Sequence, residues 1–219
     1  MITDARYKAL TQYRATLATY LSEPLSEADT RAKFIDVLLK DVLGWREEDL
    51  RRERTFWTQG ERAATDYEVG RPLPVFLVEA KRLMTDFELP DSTGRHLYRL
   101  DGVIGSCPRL WDAILQARTY CDDKGIRFAL ITNGSRFALF RAITLGRPWR
   151  EGNAAVFSLD TLLGKHFVPF HDCLSAEKSN VTQFDMLLEN IPTLTKAVRI
   201  ADIFAAQVGR LSNRLLVFV

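Results

Sequence analysis

The chain has 219 residues, 47% hydrophobic and 26% charged, enough apolar material for one sizeable core. A formal net charge of +2 excludes a chain that is basic throughout, so any nucleic-acid surface has to be a local one. Three widely spaced cysteines, Cys107, Cys121 and Cys173, argue against a disulfide framework or a zinc site and for a reducing compartment. The opening, "MITDARYKALTQYRATLATY", is polar and periodic, unlike a secretory signal, and no apolar run approaches the ~20 residues of a membrane span. The expected setting is the cytoplasm.

Leu10, Leu17 and Leu21 recur at helical spacing, which predicts a helix over 4–22 that stops before Pro24. "LSEADTRAKFIDVLLKDVLGW" predicts a second helix, capped by Ser26, favoured in its first turn by Asp29 and ended by Gly44. "LRRERTFW" is short and charged, as an edge strand is. "ATDYEVG" and "LPVFLVEAK" predict two more strands, joined by a turn at Gly70 and Pro72. Residues 83–108 show no period and are expected to form a long loop. "RLWDAILQARTYCDDKG" predicts a helix closed by Gly125. "IRFALITNGSRFALFRA" sets two apolar strands about Asn-Gly, a hairpin signal. "NAAVFSLDTLLGKHF" adds a strand and a short helix, and 172–190 and 193–217 predict two final helices separated at Pro192. The apolar end, "RLLVFV", is unusual for a free terminus and suggests either burial or a longer natural chain.

The stretch "PVFLVEAKR", residues 74–82, carries the chemistry. Side chains alternate along a strand, so Glu79 and Lys81 share one face while Val78 and Ala80 take the other. A carboxylate and an ammonium at the end of a buried strand are costly unless something uses them. Asp66, in "TDYEV", lies 13 residues earlier, and a hairpin-like pairing about Gly70 brings it near Glu79. Two neighbouring carboxylates repel, and a hard divalent cation relieves that repulsion while keeping sites for water and phosphate oxygens. Lys81 beside them suits a metal-activated water or charge developing on phosphorus.

The pattern Asp66…Glu79-Ala-Lys81 resembles that of the PD-(D/E)xK nuclease superfamily. In order along the chain, "SEADTRAKFIDVLLKDVLGW", "TDYEV", "FLVEAK", "QARTY" and "FALITNGSRFALF" resemble the N-terminal nuclease domain of type I restriction enzyme motor subunits, over roughly residues 26–142. The resemblance implies an α/β, restriction-endonuclease-like fold: a central mixed β-sheet flanked by helices in a nuclease domain over 1–170, with a C-terminal helical extension over 171–219. It implies Mg2+ (or Mn2+) held by Asp66 and Glu79, with Glu27 of the early helix as a third ligand, and catalysis by Lys81. Gln116 and Tyr120, one helical turn apart, are implied to complete the site. Arg51, Arg52, Arg54 and Arg82 are the candidate DNA contacts.

The expected activity is Mg2+-dependent endonucleolytic cleavage of DNA in prokaryotic defence, assisted by self-association or by an ATPase or motor partner. Two other classes stay open: a nucleic-acid-binding module that cuts nothing, and an effector domain of a larger ATPase. Each residue also has a structural reading. Asp66 suits a turn, Glu79 and Lys81 a simple ion pair, Glu27 a helix N-terminus, and Gln116 and Tyr120 a helix surface. Trp45, Trp57 and Trp111 are expected to pack, and His96, His166 and His171 show no ligand spacing.

Overall fold

The computed structural model describes residues 2–58, 61–87 and 96–189. Helix α1 is Ile2–Ala18. Helix α2 starts as one α-helical turn, Glu27–Thr30, and continues through two π-helical stretches, Arg31–Ile35 and Leu38–Val42. Ser26 caps it reciprocally: its hydroxyl accepts the Asp29 N–H at 3.0 Å, and the Asp29 carboxylate accepts the Ser26 N–H at 3.1 Å. Strands β1 (Leu50–Thr58), β2 (Glu61–Val69), β3 (Phe76–Ala80) and β4 (Leu97–Arg99) precede helix α3 (Pro108–Lys124). Then come β5 (Phe128–Thr132), β6 (Arg136–Arg141) and β7 (Asn153–Ser158). A helical turn α4 (Leu159–Thr161), a π-helical stretch Leu162–His166, and helices α5 (Phe167–Leu174) and α6 (Val181–Leu188) follow.

The strands form one seven-stranded mixed sheet in the order β1-β2-β3-β5-β6-β7-β4. β3 and β5 run parallel, and every other neighbouring pair is antiparallel. A parallel pair needs a long crossover, and here the return path carries α3 over one face. "FLVEA" and "FALIT" are buried along their whole length, as strands covered on both faces should be. The arginine-rich β1 takes an outer edge, where unpaired backbone tolerates charge. The molecule is thus an α/β fold with a mixed sheet between helices, compatible with a restriction-endonuclease-like architecture.

Strand alternation divides the core in two. Phe76, Val78 and Ala80 of β3, with Phe128 and Leu130 of β5, pack with Leu10, Tyr13, Phe34 and Leu38 of α1 and α2 and with Phe170 and Phe184 of α5 and α6. Leu77, Ala129 and Ile131 point the other way, onto Leu110, Ile114, Ala117 and Tyr120 of α3. Glu79 has the parity of Leu77, so its side chain belongs to the α3 face.

The β5–β6 hairpin turns at Asn133-Gly134-Ser135, as its Asn-Gly predicts. Gly134 adopts φ +88°, and a Cβ there would meet Phe34 Cβ at 3.2 Å and Tyr13 Oη at 3.3 Å. The turn is tied down further by the Tyr13 hydroxyl, which donates to the Gly134 carbonyl at 2.5 Å. Asn133 donates its amide N–H to the carbonyls of Leu83 and Thr85 at 3.2 and 2.8 Å, which anchors the chain just beyond Lys81.

Several elements differ from expectation. α1 ends at Ala18, short of residue 22. The expected loop over 83–108 contains β4, which pairs with β7 at the far edge of the sheet, and a 3-10 turn, Val103–Ser106. The single helix expected over 172–190 is two: α5 stops before Ser175, and α6 restarts where the Asn180 side chain accepts the Gln183 N–H at 3.1 Å. The helix expected over 193–217 lies outside the described residues. Among the described residues, no helix is long and apolar enough to cross a membrane.

Candidate active site

The β2–β3 register pairs Val69 with Phe76, Glu68 with Leu77 and Tyr67 with Val78. One step further along both strands brings Asp66 level with Glu79, on the face covered by α3. The Asp66 carboxylate confirms the closeness, since its Oδ2 accepts the Ala80 N–H at 2.8 Å. Lys81 stands one residue past β3, where its backbone N–H still donates to the Thr132 carbonyl at 2.8 Å. That bond continues the β3–β5 ladder and holds Lys81 in strand-like alternation with Glu79. The ammonium donates to Glu79 Oε1 at 2.7 Å and to Gln116 Oε1 at 2.9 Å. Gln116 in turn donates from Nε2 to the Tyr120 hydroxyl at 2.8 Å. Glu79, Lys81, Gln116 and Tyr120 therefore form one hydrogen-bonded chain from sheet to helix.

The electrostatics of this chain are unbalanced. Glu79 is 2% exposed, and its Oε2 is buried with no hydrogen-bond partner. Burial pushes the Glu79 carboxyl up to about 8, and the neighbouring Asp66 charge adds to the rise against the opposing pull of Lys81. Burial alone would lower Lys81. The charge and hydrogen bond of Glu79, with the charges of Glu27 and Asp66, outweigh it and hold the ammonium above its ordinary value. Burial leads the Glu79 shift, whereas surrounding carboxylate charge decides the Lys81 shift and adds to that of Glu79.

Glu27, at the start of α2, acts on Glu79 and Lys81 through its charge. Among the described residues, however, no three His, Cys, Asp or Glu side chains gather as a ready-made metal shell. Two residues that the sequence reading passed over complete the surroundings. Arg31 donates from Nη1 to Asp66 Oδ1 in a short ion pair, and from Nη2 to Glu53 Oε1 at 2.9 Å. Arg31 lies four residues after Glu27, one helical turn on, and that spacing was the available signal.

The candidate DNA contacts divide. Arg52 is held by Asp36 and Glu47, and Arg51 donates to the Pro72 carbonyl at 2.8 Å beside Glu68. Arg54 and Arg82 are exposed and make no ion pair with another described residue. Trp45 packs as expected, its indole N–H donating to the Leu174 carbonyl at 2.8 Å. Trp111 stacks on Trp149 with ring centroids 5.7 Å apart. The side chain of Trp57 lies outside the described residues.

The donor set fits a hard divalent cation. Carboxylate oxygens are the ligands Mg2+ prefers, two protein carboxylates are a common complement, and Glu79 Oε2 is a buried oxygen without a partner. Compared with known proteins, the chain matches no family model, no curated protein and no solved structure.

Proposed function

We propose that this chain is a Mg2+-dependent DNA endonuclease domain of the PD-(D/E)xK type, acting in prokaryotic defence. The observation that carries the reading is the convergence of Asp66, Glu79 and Lys81 at one sheet end, with a buried Glu79 oxygen left unpartnered. Asp66 and Glu79 would hold the ion, with Glu27 adding negative charge nearby. A bound ion would supply Lewis-acid polarisation of the scissile phosphate and would acidify a bound water.

The side chains supply the rest. Lys81, fixed between Glu79 and Gln116, presents an ammonium where negative charge develops on the phosphate oxygens. Gln116, anchored through Tyr120, limits the rotamers open to Lys81. Of the four candidate arginines, exposed Arg54 and Arg82 are the two free to meet backbone phosphates. With a net charge of only +2, DNA affinity of the lone chain is weak and salt-sensitive, so clustering or an ATPase partner raises activity.

A second reading, a binding or effector module without cleavage, is favoured by the pairing of Asp66 with Arg31. Nicking of supercoiled plasmid by the full chain decides between them. The nuclease reading requires nicking with Mg2+ or Mn2+ that stops in EDTA. DNA binding without any metal-dependent nicking, even when copies are clustered through a fused dimerisation module, favours the binding module.

A further inference from the structure

Both oxygens of Asp66 are engaged, but by partners of different kinds. Oδ2 is held by a backbone N–H, which stays with the sheet. Oδ1 is held by the Arg31 guanidinium, a side chain that can leave. Arg31 also has a second carboxylate. Its side chain is 22% exposed and spans from Asp66, 10% exposed, outward to Glu53, 67% exposed. The guanidinium thus stands at the mouth of the site, with one hydrogen bond inside and one outside.

Local backbone irregularities put it there. Arg31 opens the first π-helical stretch of α2, where the ordinary helical repeat is broken. In the β1–β2 ladder, Arg52 pairs with Tyr67 and Arg54 with Thr65, while the intervening Glu53 and Asp66 form no pair. Glu53 adopts φ +50°, a left-handed conformation uncommon for Glu, and strain of this sort concentrates at functional positions. The strand departs from regular pairing at the level of Asp66, and Arg31 bridges the two unpaired residues.

We propose that Arg31 is the resident cation of this site and a positioning residue that exchanges partners. A divalent cation entering at Asp66 and Glu79 displaces the guanidinium from Oδ1. Arg31 stays tethered to Glu53 at the mouth, where its remaining N–H donors face a DNA phosphate. Metal and phosphate therefore bind cooperatively: metal frees the arginine that phosphate needs, and phosphate holds the arginine away from Asp66. Without DNA the arginine competes with metal and keeps the lone domain idle. The inference rests on the metal-dependent nuclease reading and adds to it a means of coupling.

The test measures Mn2+ binding to the full chain by electron paramagnetic resonance, with and without a phosphorothioate oligonucleotide that resists cleavage. Arg31→Gln is expected to bind Mn2+ about tenfold more tightly than wild type without DNA, since the competing charge is gone. The oligonucleotide is expected to tighten Mn2+ binding in wild type and to do much less in Arg31→Gln. Plasmid nicking by the same variant falls, although its metal affinity rises. Arg31→Lys, which keeps the charge but cannot bridge two carboxylates as a fork, covers the case in which the glutamine variant does not fold, and is expected to lie between. Mn2+ binding that is lost in Asp66→Asn yet unchanged or weakened in folded Arg31→Gln and Arg31→Lys overturns the role of Arg31 alone. No Mn2+ binding by any form overturns the metal reading and this inference together.

Discussion

Two arginines on neighbouring elements each grip two carboxylates, and the contrast between them separates fastening from function. Arg52 of β1 donates from Nε and Nη2 to Asp36 at 3.1 and 3.0 Å, and from Nη1 and Nη2 to Glu47, with its side chain lying over the Tyr67 ring. Its partners reach solvent, and both of its nitrogen-bearing edges are already committed to carboxylates. It ties β1 to α2 and leaves little capacity for a ligand. Arg31 instead reaches inward to buried Asp66, beside Glu79, in a site that carries more carboxylate than cation and leaves Glu79 Oε2 without a partner. An arrangement that stability alone does not explain is where a ligand belongs.

The largest effect is expected at Lys81. Lys81→Ala should lower metal-dependent plasmid nicking by about 100-fold or more, the scale of losing one preorganised donor to a transition state. The fold should survive, because Glu79, already raised to about 8, then simply keeps its proton at neutral pH. Circular dichroism and DNA binding should match wild type. Nicking at the wild-type rate removes Lys81 from the mechanism.

Next comes the pH dependence of stability in EDTA. The Glu79 carboxyl keeps its proton to about pH 8 in the folded chain and releases it near 4.5 when unfolded. The folded form therefore binds more protons between those values. The contribution of Glu79 to stability should be fully present below about 4.5 and fall as pH rises through the window to about 8. Glu79→Gln cannot ionise and should flatten this decline, leaving the variant ~2 kcal/mol or more better off at pH 9 relative to its own value at pH 5 than wild type is. Parallel urea-midpoint profiles for the two proteins would contradict the buried-carboxyl account.

A smaller effect is expected at Gln116, which touches Lys81 but holds no candidate ligand. Gln116→Ala should slow nicking about tenfold by loosening Lys81, with Mn2+ affinity unchanged, since proton and charge stabilisation depend on placement within an ångström. A matching loss of metal affinity would make Gln116 part of the ion's surroundings instead. The smallest change belongs to the Arg52 network: Arg52→Ala should cost ~1 kcal/mol of stability and leave Mn2+ binding and nicking per folded molecule alone. A collapse of metal binding in that variant would erase the distinction between the two arginines.

The legible parts of this molecule were those written in local period and spacing. Alternation in "FLVEAK" put Glu79 and Lys81 on one face, and Asn133-Gly134 marked its hairpin. The Ser26–Asp29 cap was readable because its partners are three residues apart. The approach of Asp66 to Glu79 followed from counting across a short turn. For Arg31 the one signal is its four-residue spacing from Glu27; its pairing with Asp66 is not legible, because π-helical stretches shift which residues of α2 face the sheet, and the irregular backbone at Glu53 has no composition signal. The three-residue β4 is too short to show a period, and its partner β7 lies more than 50 residues further on. The break between α5 and α6 runs from Ser175 to Asn180, where an Asn side chain that caps α6 leaves no mark on the helical period.

The central claim, that Asp66 and Glu79 form a cation site from which Arg31 is displaced, is tested most directly by anomalous diffraction from crystals of the full chain soaked in Mn2+. The account predicts one strong peak shared by the Asp66 carboxylate and Glu79 Oε2, with the Arg31 guanidinium withdrawn toward Glu53. A map without density between those carboxylates at saturating Mn2+, and with Arg31 still bound to Asp66, would contradict it.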